Sequence, residues 1–278
     1  MLPPALRRFA SPPRPSLASL AVFVAAASGP IAPRAAGPAS PRSAHIVSMP
    51  GARPRRATGR IEGTVEISSS LSVRRPDFRI YADPGIGSVP PISPANQALA
   101  ELHNVVVYLE GDTTQLPAPP DVVERLRHGR MAQHDERFVP HVLPVMQGAT
   151  VDFPNEDDVY HNVFSLSSAA GPGGKGFDLG RYPKGSSRSV TFSKTGTILV
   201  FCHIHTEMSA VVLVLANPYF ASPDDNHHFV IDDVPEGDYT IVGWHERIVP
   251  VTRRVHVTAG QTASVDFNIP LPQGGGSR

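Results

Sequence analysis

A single cysteine, Cys202, stands in this chain of 278 residues. It lies in the run Thr197-Ile198-Leu199-Val200-Phe201-Cys202-His203-Ile204-His205-Thr206-Glu207-Met208. A lone thiol makes no intramolecular disulfide, so it is an inert core residue, a reactive thiol or a metal ligand. On a strand, Ile198, Val200 and Cys202 share one face, which puts Cys202 where the buried face reaches the strand end. His205 follows three residues later and Met208 three beyond that, giving C-x-x-H-x-x-M. A loop this short can turn three side chains onto one ion. Thiolate and thioether are soft donors that favour copper over hard cations, whereas zinc more often takes several cysteines or a carboxylate. A trigonal copper site uses two imidazoles and a thiolate with a weak axial thioether, so one more histidine is required. His161 is the candidate. It follows the polar turn Asn155-Glu156-Asp157-Asp158 and opens the apolar run Asn162-Val163-Phe164-Ser165, at the edge of a strand.

The pair HNVFS (161–165) and FCHIHTEM (201–208) resembles the ligand segments of the cupredoxins, the small type 1 blue copper proteins, in their amicyanin- and plastocyanin-like branch. The stretch FVPHVLPVMQGATVDFPNEDDVYHNVFS resembles the strands of that fold leading to the first ligand. The resemblance covers roughly residues 136–215. It implies one type 1 copper ion with His161 as the upstream ligand, Cys202 as thiolate, His205 as loop imidazole and Met208 as axial thioether. It also implies that Asn162 ties the two ligand segments together beside the thiolate. His203 has no counterpart in the pattern, and strand alternation sends it away from Cys202.

Other chemistries fit less well. Thiol plus histidine is a hydrolase pairing, but this arrangement supplies no separate base with an orienting acid. A binuclear copper centre would need a second cysteine, and a multicopper oxidase several H-x-H pairs; His203/His205 is the one such pair. GPGGKG (171–176) lacks the Ser/Thr that follows the lysine of a phosphate loop. His227 and His228 are neighbours on an extended chain and point to opposite faces. An electron carrier or copper-binding protein is expected rather than a catalyst; storage or delivery of copper, or an interaction module with a vestigial site, is the alternative.

The rest of the sequence must position these residues. Lys plus Arg and Asp plus Glu number 25 each, so no global field draws the chain to nucleic acid. Arg7, Arg8 and Arg14 precede a short apolar run, Leu17 to Ala27, that ends in small residues. This is the layout of a secretory signal peptide (1–28), and it predicts a periplasmic or extracellular protein without a membrane span. Residues 29–58 read as a disordered Pro/Ala/Arg-rich linker. Thirty prolines and 23 glycines separate short apolar runs, which predicts an all-β chain. Strands are expected at 60–67, 104–109, 138–145, 150–153, 162–166, 189–192, 197–202, 210–215, 228–231, 238–244, 253–258 and 263–269, with a helix over 121–127 capped by Asp121. FVIDDVPEGDYT (229–240), with GRIEGTVEI and NVVVYLEG upstream, resembles the carboxypeptidase regulatory-like sandwich. The expected architecture is therefore a cupredoxin Greek-key β-sandwich (134–215) inserted into a second, Ig-like or carboxypeptidase regulatory-like β-sandwich (59–133 and 216–272). The expected partner is a redox protein such as a c-type cytochrome or a periplasmic dehydrogenase.

Overall fold

The computed structural model describes residues 57–68, 94–112, 116–167 and 176–269. The expected signal peptide, the linker up to residue 56 and the loop 171–175 lie outside the described residues. Alternation in β1 (Thr58–Ile67) buries Ile61, Gly63 and Val65 on one face while Arg60, Glu62 and Glu66 face out. Next come α1 (Pro94–His103), β2 (Val106–Leu109) and α2 (Pro120–Arg125). The short strands β3 (His128–Arg130), β4 (Ala132–His134) and β5 (Arg137–Val139) lead to β6 (Val142–Met146), β7 (Thr150–Pro154) and β8 (His161–Ser165). Then follow β9 (Phe177–Tyr182), β10 (Ser187–Thr191), β11 (Gly196–Phe201) and β12 (Ser209–Leu215). The last group is β13 (Phe220–Ala221), β14 (His228–Pro235), β15 (Gly237–Trp244), β16 (Val251–Val257), β17 (Thr262–Ser264) and β18 (Phe267–Ile269).

These strands build an all-β sandwich protein. One sheet runs β14-β1-β17, with β18 also paired to β1, and a second runs β13-β2-β15-β16. A third runs β6-β12-β11-β8-β9 and a fourth β10-β7-β3, while β4 and β5 form a separate hairpin. Ile61, Val65, Val107, Leu109, Phe229, Ile231, Ile241, Val257 and Phe267 fill the space between the first two sheets. Phe153, Val163, Phe192, Ile198, Val200, Val212 and Val214 fill the space between the last two. Val106 and Trp244 meet Val142, Val211, Leu213 and Leu215 in a third apolar layer that joins the second sheet to the third. The sheets therefore stack four deep.

The position of β12 in that stack explains its sequence. Ala210, Val212 and Val214 face one core and Val211, Leu213 and Leu215 the other. A strand covered on both faces reads as a continuous apolar run instead of an alternating one. β2 does the same, with Val107 and Leu109 on one side and Val106 on the other. Polar links reinforce the middle layer: the His141 ring lies 2.9 Å from Glu246, and buried His245 lies 3.1 Å from Glu101 of α1.

Several expected elements differ. The run 138–145 is two strands, with Pro140 and His141 between them; a proline has no N–H for a ladder. The run 263–269 also divides, because Val265 bonds through its N–H to Glu62 while β17 and β18 pair with successive parts of β1. The helix near 121 begins at Pro120, so Asp121 sits in its first turn and Pro119 occupies the cap position without a side-chain bond. Helix α1 and strand β9, neither expected, are present.

Candidate metal centre

β8 and β11 lie side by side, with Phe164 opposite Phe201. His161 opens β8, and Cys202 follows the last residue of β11. This pairing brings His161 and Cys202, 41 positions apart in sequence, into contact. The imidazole Nδ1 of His161 lies 3.9 Å from Cys202 Sγ and 2.9 Å from Nδ1 of His205. Ligand atoms of His161, Cys202 and His205 all fall within 4.8 Å of one another. His161 is fully buried and Cys202 nearly so, while His205 retains partial access to solvent.

The loop that carries the other donors is closed by its own backbone. The Cys202 N–H donates to the Met208 carbonyl at 3.2 Å, and the Met208 N–H donates to the His205 carbonyl at 3.0 Å. Met208 is buried in the same apolar cluster as Cys202. Asn162, buried beside His161, stitches the two segments. Its Oδ1 accepts the His203 backbone N–H at 2.7 Å and lies 3.5 Å from Cys202 Sγ. His203 stands outside the group, stacked on Phe164 with ring centroids 3.6 Å apart.

One contributor to the site carried no recognisable motif. Asp157 Oδ2 lies 2.8 Å from Nε2 of His161. A carboxylate there accepts a hydrogen bond from Nε2–H, which leaves the Nδ1 lone pair of His161 facing His205 and Cys202. The same carboxylate accepts the N–H groups of Asp135 at 2.8 Å and Glu136 at 2.9 Å. Those two residues have φ of 51° and 54°, the left-handed turn of the β4–β5 hairpin. Burial acts to raise the Asp157 pKa, but the Glu136 N–H, the His161 side chain and the Asp135 N–H outweigh it and hold the carboxyl below its ordinary value. Asn155 shapes the turn, accepting the Asp157 N–H at 2.9 Å and donating to the Val159 carbonyl at 2.8 Å. The available hint was the spacing of Asp157 four residues ahead of His161 in a run of four polar residues. His134, Asp135 and Asp157 also approach one another, but His134 and Asp135 are exposed and Asp157 is engaged as described.

Two imidazoles with converging Nδ1 atoms, a buried thiol and a thioether packed in the same cluster make a soft, largely buried donor set. That composition fits copper better than calcium or magnesium, which take oxygen ligands. Asp157→Asn should lower copper affinity about tenfold, as expected for loss of a partner to a ligating histidine. Chelator competition measures this, and unchanged affinity would remove Asp157 from the site.

No family model matches the sequence, and no curated protein matches it. Among solved structures, the reduced state of an amicyanin mutant is 24% identical, with 32% of this chain and 82% of that chain covered, at a TM-score of 0.30. A Cu-containing nitrite reductase from Thermus scotoductus is 26% identical over 32% of this chain and 22% of its own, at a TM-score of 0.29. A second amicyanin mutant, in its reduced Cu(I) form, is 19% identical over 39% of this chain and 98% of its own, at 0.30. The case for a metal rests on the side chains rather than on these likenesses.

Proposed function

We propose that this protein is an exported, mononuclear copper protein that passes single electrons to and from a redox partner. The supporting observation is the convergence of His161, Cys202 and His205, with Met208 packed beside Cys202. His161, Cys202 and His205 would hold the ion, with Met208 as a weak fourth donor. Copper bound there would supply a one-electron couple whose potential is tuned by the axial ligand and by the surroundings of the thiolate.

The residues around the donors do the rest. Asp157 fixes the ring of His161, Asn162 fixes the backbone beside Cys202, and the Phe153, Val163 and Val200 core restricts movement and water. Donors held this rigidly suit both oxidation states, so little rearrangement opposes electron transfer. His205, with its partial exposure, is the natural exit. Tyr160 and Ile204, each next to a proposed ligand, are exposed apolar side chains on which a partner could dock. A periplasmic dehydrogenase or a c-type cytochrome is the class of partner proposed, and the N-terminal arginine-then-apolar layout supports export. Among the described residues no helix is long and apolar enough to cross a membrane. The inserted-domain reading draws support from the cores: one collects residues from 61–116 and 219–269, the other residues from 131–214.

The visible spectrum of the copper-loaded, oxidised protein is the test. An intense thiolate-to-copper band is expected, and a colourless protein would refute the type 1 assignment. Met208→Leu should keep the band and raise the reduction potential, because a weak donor that favours the oxidised ion is lost. Voltammetry of the two proteins checks the direction.

A further inference from the structure

The amide of Asn162 is held at both ends. Its Oδ1 holds the His203 N–H. Its Nδ2 donates to Oδ1 of Asp178, on the neighbouring strand β9, at 3.4 Å. Asn162 is 2% exposed, so its NH₂ group depends on a partner from the protein. The Asp178 carboxylate is itself anchored: its Oδ1 also accepts the N–H of Gly180 at 2.8 Å. Gly180 has φ of 64°, a left-handed conformation that turns its N–H back toward the carboxylate two residues earlier. The β8–β9 ladder shifts register between Asn162 and Phe164, and Asp178 lies opposite Phe164. The second Asp178 oxygen lies 3.8 Å from Nε2 of His203. That ion pair is more than half exposed and adds little.

We propose that Asp178 is a positioning residue for the metal loop, acting through Asn162. An Asn amide has nearly the same shape when flipped, and its partners decide which end faces which way. A carboxylate on one side and a backbone N–H on the other admit one orientation. With Asp178 in place, the amide oxygen stays on the His203 N–H and fixes the backbone immediately after Cys202. This inference rests on the copper reading for its purpose and on the hydrogen-bond chain for its geometry.

Asp178→Ala and Asp178→Asn separate the role from general stability, since asparagine keeps an acceptor oxygen and alanine does not. In the metal-free full-length protein, amide hydrogen exchange read by NMR should show the His203 N–H about fivefold faster in Asp178→Ala. The rate in Asp178→Asn should stay near wild type, and amides of β14 should be unchanged in both. With copper added, Asp178→Ala should lose the ion to a chelator about tenfold more readily, again with rescue by asparagine. Equal His203 exchange in all three proteins would overturn the proposal, as would uniform acceleration of every amide or an asparagine variant as loose as alanine. If wild type fails to develop the thiolate band, the copper reading falls, while the exchange measurement still decides whether Asp178 holds Asn162.

Discussion

Replacing Cys202 with serine is expected to abolish the visible absorption of the copper-loaded, oxidised protein completely. On the proposed function the colour would come from charge transfer out of a thiolate, and the sequence contains one thiol. A serine hydroxyl is a hard donor with no comparable transition. The substitution is small, and the new hydroxyl would have Asn162 Oδ1 close by, where Cys202 Sγ lies 3.5 Å away. The metal-free variant should therefore lose no more than about 2 kcal/mol of stability. Absorption spectra of both proteins, paired with denaturant melts of the metal-free forms, separate loss of the donor from loss of the fold. A variant that keeps the band would mean that Cys202 does not bind the ion.

The second large effect lies in the other core. Gly63 sits in the middle of β1, where the neighbouring chain crosses from β17 to β18. A Cβ at this position would stand 1.8 Å from the carbonyl oxygen of Val265 and 2.7 Å from its carbonyl carbon. Backbone is the obstacle, so no rotamer change relieves it. The Val265 N–H already donates to Glu62 at 2.9 Å, which pins the segment in place. Gly63→Ala must push the β17–β18 edge off β1 or distort β1 itself. A destabilisation of about 3 kcal/mol is expected, the upper part of the usual range for overpacking. Urea unfolding followed by tryptophan fluorescence measures it through Trp244. A variant as stable as wild type would show that the edge strands adjust freely.

The sequence revealed the parts of the site that lie close together along the chain or at strand ends. Cys202, His205 and Met208 share one loop, and apolar alternation located the strand that delivers it. His161 could be singled out because a polar turn and an apolar run meet there. Asp157 could not, since its acceptor role is set by the N–H groups of a hairpin 21 and 22 residues upstream, nor could Asp178, which meets Asn162 only through the β8–β9 pairing. The β4–β5 hairpin was equally hidden: its turn uses Asp135 and Glu136 in left-handed conformations where Asn-Gly would be the recognisable pair. Asp157 receives both of their N–H groups, so a tertiary contact supports what local preference does not. Strand β9 is not legible in the sequence because Gly180 interrupts a weakly alternating run. The doubled burial of β12 was visible as an apolar stretch, but its reason, a second core on the far side, was not.

That doubled burial bears on how freely the part that carries the candidate metal site could be transplanted. Strand β3 and Met131 belong with the third and fourth sheets, so that part begins at residue 128 and not at the expected 134. Excised alone, residues 128–215 would turn Val211, Leu213 and Leu215 toward water, a ready surface for aggregation. The remaining halves would expose Val106 and Trp244 in the same way. Swapping in a related copper module would require matching this interface as well as the ligands. The segment that carries the candidate ligands is less like a bead on a string than like a plank in a laminate, to be replaced only by one finished on both sides.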